Sequence, residues 1–409
     1  MTRRDFVQMG LLFVLAFALR FHDLGRPPTR WQDENSNMAG AINYWEAGRF
    51  EPDTWEHPPL RNLSGYAFIK LLGDNPYGWR MRNVLFGSAA AVLAWLFGFR
   101  VGGRRVALIT GILVATDPLH VVLSRFTFEE VYGGTFFLGA AVLFAFGRHR
   151  TPWLVASALL LGCALATKWY YAPAWLLMLA LLLLENSNYR RPGTALFLLC
   201  CWTAIPVTVY AATYGPWFGR GYRLAELPEF VLNAYSHLQA MNERYVQVVD
   251  QRRVFQNHTS ALEWFLRPIW IGDGKLLGAD RGVFLLYVND LPIWGFTLPA
   301  VAATAVLAWR VRRLDWAMPA LYFAAMYLLF LPVERATFIY SALPLLPFAF
   351  AAIALLLDRC TDRLPPQVHW GIAGILLAWN LYLYPLVTAH PIPVALYRWL
   401  LVSSELAIH

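Results

Sequence analysis

Residues 104–150 read RRVALITGILVATDPLHVVLSRFTFEEVYGGTFFLGAAVLFAFGRHR. Two apolar runs, 106–123 and 130–147, each approach the length that crosses a bilayer, and they flank a polar hinge, Ser124 to Glu130. Both outer ends are closed by arginine, Arg104-Arg105 before and Arg148 with Arg150 after. Basic residues stay on the cytoplasmic side of short connections, so the hinge is predicted to face outward.

The same grammar extends along the chain. Further apolar runs cover 6–21, 83–101, 152–168, 170–185, 193–213, 291–309, 314–332, 336–357 and 369–388, making eleven in all. Alternate junctions carry Arg3-Arg4, Arg190-Arg191, Arg310 with Arg312-Arg313, and Arg359 with Arg363. The pattern predicts an all-α polytopic membrane protein with the N-terminus inside and the C-terminus outside. Two long external segments follow, 22–82 and 214–290, within one membrane domain spanning 1–409. Stretches Phe230 to Val249 and Leu262 to Ile271 of the second read as helices lying along the interface. No internal repeat or separate soluble domain interrupts the pattern.

Composition agrees. Of 409 residues 58% are hydrophobic and 15% charged, and mean hydropathy is +0.43, too apolar for a soluble core of this length. The net charge of +8 sits in short clusters between apolar runs, which argues for topology and against nucleic acid. Four cysteines are too few for a disulfide framework, and Cys163, Cys200, Cys201 and Cys360 are expected as free thiols. Met1 to Phe21 reads as a first membrane helix in preference to a cleaved leader, since Arg20 and His22 follow its small residues at once.

Most carboxylates fall outside in this topology, so any chemistry is external. The first external segment holds Asp33-Glu34 and a rigid His57-Pro58-Pro59-Leu60 turn. Plain readings exist for each candidate. Asp33 and Glu34 would cap the helical stretch Asn35 to Glu46, Arg125 would pair with Glu129 or Glu130, Lys168 would snorkel, and Glu334 would pair with Arg335. Against them stands convergence: Asp33, Glu34, His57, Arg125, Glu130, Lys168 and Arg335 are distant in sequence and share one face of the membrane. Acids to activate a hydroxyl and cations to hold a phosphate suit a group transfer from a lipid phosphate.

In order and spacing these segments resemble the protein O-mannosyltransferases, polyprenyl-phosphate-mannose-dependent members of the GT-C membrane glycosyltransferases. The likeness runs through Asp33-Glu34, His57 to Leu60, Arg125 to Glu130, Gly162 to Trp169, His258 to Trp264, Leu266 to Trp270, Asn289 to Trp294 and Arg335 to Pro347 with Tyr340. It implies a GT-C fold of eleven helices, Asp33 as base and Glu34 in support, and Arg125 and Glu130 as the motif that follows. Lys168 and Arg335 would lie near the donor phosphate, with His57 and Tyr340 on the donor side and His258, Trp264 and Arg267 as acceptor-side candidates.

The implied reaction is an inverting single displacement with no cofactor and no required metal. Its donor is polyprenyl-phosphate mannose, a substrate, and its acceptor a secreted or membrane protein at the plasma membrane, among membrane lipids. Two departures stand out: Arg61-Asn62 occupies the place where the pattern has Gly-Lys, and Glu130 stands where Asp is usual. A transferase acting on a glycolipid or cell-wall polymer, a flippase, and an inactive assembly subunit remain alternatives. Oligomeric state stays open.

Overall fold

A computed structural model describes residues 1–31, 33–47, 57–185, 192–242, 246–249, 252–255, 259–278, 280–332 and 337–401. Arg335 and His258 lie outside the described residues. Over the described residues, each of the eleven apolar runs is helical for most of its length. The first ten helices are α1 (Arg3–Phe21), α2 (Glu34–Ile42), α3 (Leu60–Leu72), α4 (Pro76–Gly102), α5 (Arg104–Thr116), α6 (Pro118–Ser124), α7 (Glu129–Gly147), α8 (Thr151–Leu165), α9 (Ala172–Glu185) and α10 (Pro192–Ala212). Later helices include Leu227–Asn242, Thr297–Val311, Leu314–Tyr327, Leu346–Cys360 and Pro366–Leu383.

Among the described residues, six helical stretches are long and apolar enough to cross a membrane, and the bent pair α5–α6 is a seventh. The bend of 54° has a local cause. Asp117 caps α6 by accepting from the His120 backbone N–H, and Pro118 takes the first helical position, where a missing N–H costs nothing. The third run is therefore a broken helix.

The bundle is held by aromatic contacts at its centre. Phe348 packs on Phe97, Phe137 and Tyr322 with ring centroids 5.1 to 5.2 Å apart, joining α4 and α7 to the helices Leu314–Tyr327 and Leu346–Cys360. Close approach of α8 to α7 depends on Gly133, where a Cβ would stand 2.3 Å from Thr167 Oγ1. That contact brings the end of α8 against the start of α7. At the opposite end of the bundle, Asp315 accepts from Arg100 (2.5 Å) and pairs with Arg148 (3.3 Å), and Asp5 pairs with Arg104 at 2.7 Å. The four cysteines are unpaired.

The segments predicted to lie outside correct the all-helical expectation. Phe230 to Val249 is helical only to Asn242, and Val246–Val249 (β1) pairs antiparallel with Arg252–Phe255 (β2). Leu262 to Ile271 is a single turn, Glu263–Phe265, and the start of Trp270–Leu276 (β3). That strand pairs antiparallel with Arg281–Val288 (β4), and β4 pairs with Pro391–Pro393 (β5). Pro268 cannot donate a backbone hydrogen bond and stops a helix there, while the Val, Phe and Tyr of β4 favour a pleated, half-buried surface. Tyr287 of β4 packs against Trp31 (5.4 Å) and Phe128 (5.7 Å). The sheet is thus a roof over the chain leading to Asp33.

Candidate active site

Trp31 fixes the approach to α2, wedged between Phe126 at 4.7 Å and Tyr287. The two acids that follow part company there. Glu34 is fully buried; its Oε1 and Oε2 accept from Arg80 Nε (3.1 Å) and Nη2 (2.9 Å), and Oε2 also accepts from the Trp31 backbone N–H at 3.0 Å. Burial pushes its carboxyl above the usual range, against the pull of Arg80. The bidentate grip holds Glu34 inside the protein.

Asp33 occupies the N-cap position of α2, yet among the described residues its side chain makes no capping hydrogen bond. The capping reading therefore fails for it. Its side chain is exposed, but protein surrounds it closely enough to strip much of its hydration, as in a recess. Its carboxyl is pushed up first by that desolvation and then by the charge of Glu129, while Lys168 and Arg61 pull it down. Asp33 is a reachable carboxylate with an enhanced hold on a proton.

Glu129 is the hub beside it. Its Oε1 lies 3.2 Å from His57 Nε2, 3.6 Å from Arg61 Nη1 and 3.6 Å from Lys168 Nζ. Lys168 also donates to Glu130 Oε1 in a short contact, so the lysine pairs in preference to snorkelling. Its Nζ stands 5.7 Å from the Tyr170 ring and 5.6 Å from that of Tyr340. The local fold explains the gathering. The Leu60 backbone N–H donates to the Ala166 carbonyl, tying the start of α3 to the end of α8 at 3.2 Å. Asn37 and Asn83 hold the hinge by donating to the carbonyls of Thr127 (2.9 Å) and Phe128 (2.7 Å). Arg82, buried over the Tyr132 ring at 4.1 Å, donates to the Arg61 carbonyl (2.9 Å) and Ser64 Oγ (2.8 Å).

Three expected site residues go elsewhere. Arg125 is buried and donates to the carbonyls of Arg20 (3.0 Å), His22 (2.6 Å) and Asp23 (3.1 Å), the open end of α1. It closes a helix terminus and pairs with neither Glu129 nor Glu130. Trp264 is in the core, donating to Thr259 Oγ1 at 2.9 Å and packed on Phe330, so it presents no face to an acceptor. Arg267 is exposed and pairs with Glu263 at 3.0 Å, one turn away. Asp33, His57, Glu130, Lys168 and Tyr340 do come together.

Sequence reasoning gave no site role to Glu129, Arg61, Arg80 or Asn37. Glu129 adjoins Glu130 at the start of a helix, where neighbours point about 100° apart, so the two share Lys168 while Glu129 alone also reaches His57 and Arg61. That was the available signal. The finished arrangement sets one accessible carboxylate beside a cationic wall, able to accept a proton from a hydroxyl and to stabilise a departing anion.

A family model described as dolichyl-phosphate-mannose-protein mannosyltransferase matches residues 10–219. A polyprenol-phosphate-mannose–protein mannosyltransferase of Mycolicibacterium smegmatis is 23% identical over 418 aligned residues, covering 82% of this chain and 79% of that protein. One from Corynebacterium glutamicum is 24% identical over 441, covering 87% and 82%. Among solved structures, the S. cerevisiae protein O-mannosyltransferase complex bound to the sugar donor superposes with a TM-score of 0.79 at 12% identity, covering 99% of this chain and 93% of that one. ArnT from Cupriavidus metallidurans bound to undecaprenyl phosphate gives 0.56 at 16%, covering 97% and 72%. At such identities the structural likeness establishes a shared fold.

Proposed function

We infer the activity from one premise: this chain belongs to the dolichyl-phosphate-mannose-protein mannosyltransferase family. It is a membrane glycosyltransferase that moves mannose from a polyprenyl-phosphate carrier to an acceptor protein, at Ser or Thr hydroxyls. In the fuller reading, the eleven apolar runs are eleven crossings of the plasma membrane. The basic junctions face the cytoplasm, and the cleft under β4 opens outside, where exported proteins pass.

Asp33 is the base. The observation that carries this role is the contrast with its neighbour: Asp33 is reachable beside Glu129, Lys168 and Arg61, whereas Glu34 is sealed under Arg80. Asp33 accepts the proton of the acceptor hydroxyl as its oxygen attacks the anomeric carbon, and the bond to the phosphate oxygen breaks. One displacement inverts the anomeric centre. A phosphate with a second pKa of about 6 departs unprotonated, so the second carboxylate of a glycosidase has no task here. Lys168, with His57 and Tyr340 around it, forms the donor side; Glu130 and Glu129 hold Lys168 in place. Glu34 supports the base through the start of α2, and Arg125 supports the site by fixing the end of α1. The charge of the leaving group is met by side chains of this chain, so divalent metal is not required.

The test is mannose transfer from polyprenyl-phosphate mannose to a Ser/Thr-rich peptide in membranes, with and without EDTA. Asp33→Asn at matched expression is expected to lower kcat by roughly 10²- to 10⁴-fold, and wild type to retain activity in EDTA. Full activity in Asp33→Asn overturns the assignment of the base. Label passing only to lipid overturns the acceptor.

A further inference from the structure

The reading above needs a cation to meet the carrier phosphate, and the residues assigned by resemblance leave that need only partly filled. Arg125 is engaged by three carbonyls, and Lys168 is held between Glu130 and Glu129. Arg335 lies outside the described residues, and among those described the cation with most of its fork still to give is Arg61. It stands in the first turn of α3, just past His57-Pro58-Pro59-Leu60, where the family pattern has Gly; the Lys that follows in that pattern is replaced here by Asn62.

Arg61 differs in degree from the other buried arginines at this end of the bundle, each of which makes at least three hydrogen bonds and leaves at most one nitrogen unpartnered. A guanidinium has five N–H donors in a planar fork. Arg80 directs its fork to Glu34, Leu24 and Thr29, and Arg82 to Asn83, the Arg61 carbonyl and Ser64. Arg20 reaches the carbonyls of Ala16, Val114 and Ala115 and the ring of His120. Arg61, only 5% exposed, has among the described residues a single long hydrogen bond, Nε to Asn62 Oδ1 at 3.4 Å, and Glu129 at 3.6 Å from Nη1. Burying a guanidinium without partners is costly, so a fork left this open beside a recess is poised for an anion. Its charge is felt at Asp33, and it shares Glu129 with Lys168 and His57, so it belongs to the reacting site.

Resting on the activity proposed above, we propose that Arg61 binds the phosphate of the polyprenyl-phosphate carrier, closing its fork on two phosphate oxygens while Asp33 serves the acceptor side. Arg is suited to the task because its planar fork matches two oxygens at once, where Lys offers a point charge.

The experiment measures binding of polyprenyl phosphate to the purified full-length chain, with free polyprenol as control, and then donor KM and kcat. Arg61→Gln is expected to weaken binding of the phosphate and to raise donor KM by roughly 10- to 100-fold, the loss appropriate to charge-assisted hydrogen bonds, with a smaller change in kcat. Arg61→Lys is expected to fall between the two. Binding within twofold of wild type in folded Arg61→Gln overturns the inference. Should Arg61→Gln fail to fold, Arg61→Lys decides: a loss of fivefold or more supports the fork, and equal binding overturns it. Because this readout uses neither mannose nor acceptor, it separates the two failures. Arg61-dependent phosphate binding in a wild type that transfers no mannose would refute the activity alone, and mannose transfer with Arg61-independent binding would refute this inference alone.

Discussion

Two charged regions lie side by side at one end of the bundle, built from the same residue types and put to opposite uses. Around the end of α1, Arg20, Arg80 and Arg125 are buried, and their donors meet backbone carbonyls or the Glu34 carboxylate at 2.6 to 3.1 Å. Around the start of α7, Glu129 has cationic neighbours at 3.2 to 3.6 Å, Arg61 has little else, and Asp33 stands exposed. In the first region each guanidinium is tied down by three or more hydrogen bonds, with only the Nε of Arg20 and of Arg125 left over. The second holds charge with partners still to be met, which is what binding and reaction require. Buried charge by itself marks neither structure nor function; the difference lies in how many of its hydrogen bonds are made.

The sharpest way to break this comparison is Arg80→Ala. It strands Glu34 as a lone buried carboxylate, and losing one partner of a buried pair costs roughly 3–5 kcal/mol. The variant is expected to unfold at markedly lower temperature and to accumulate poorly in membranes. A thermal midpoint like that of wild type would show that the first region is not the scaffold described.

A milder change probes the second region. Glu129→Gln keeps the shape and removes the charge that, after desolvation, raises the proton affinity of Asp33. The base works when ionised, so activity rises with pH through the Asp33 pKa. Lowering that pKa moves the acidic limb of the pH–rate profile to lower pH. An unmoved limb, measured at saturating donor, would separate Glu129 from Asp33 electrostatically.

The smallest effect is expected at Arg267→Ala. Its exposed ion pair with Glu263 contributes about 0–1 kcal/mol, and the side chain lies away from the described cluster. Peptide KM should be unchanged, and a severalfold rise would restore an acceptor-side role to this residue.

These contrasts also show what the sequence could convey. Apolar length found the helices of the bundle, six of them, or seven with the bent pair α5–α6, long and apolar enough to cross a membrane among the described residues, because lipid demands long apolar stretches whatever the tertiary packing. The bend at Asp117-Pro118 was written in a cap followed by proline, yet it lay inside a run that hydropathy alone joins. β3 and β4 escaped notice because they belong to an aromatic-rich segment that also suits an interfacial helix. Arg125 was drawn to the site by its motif, but a motif does not say where a guanidinium points, and the open carbonyls at the end of α1 claimed it. Asp33 and Glu34 were indistinguishable as a pair; only the fold places one under Arg80 and the other in the recess. Arg61 showed in the sequence merely as a departure from a pattern.

The pairing of β5 with β4 has a consequence in time. Trp31, which positions Asp33, rests on Tyr287 of β4, and the free edge of β4 is covered by Pro391–Pro393. Tyr384 Oη in addition donates to the Leu19 carbonyl at 2.8 Å, joining the last apolar helix to the first. A ribosome adding roughly 5–20 residues per second delivers those segments tens of seconds after Asp33 has emerged. The base therefore waits, unroofed, until nearly the whole chain has been made, so a nascent chain halted partway through synthesis carries every acid of the first external segment and still lacks a working site.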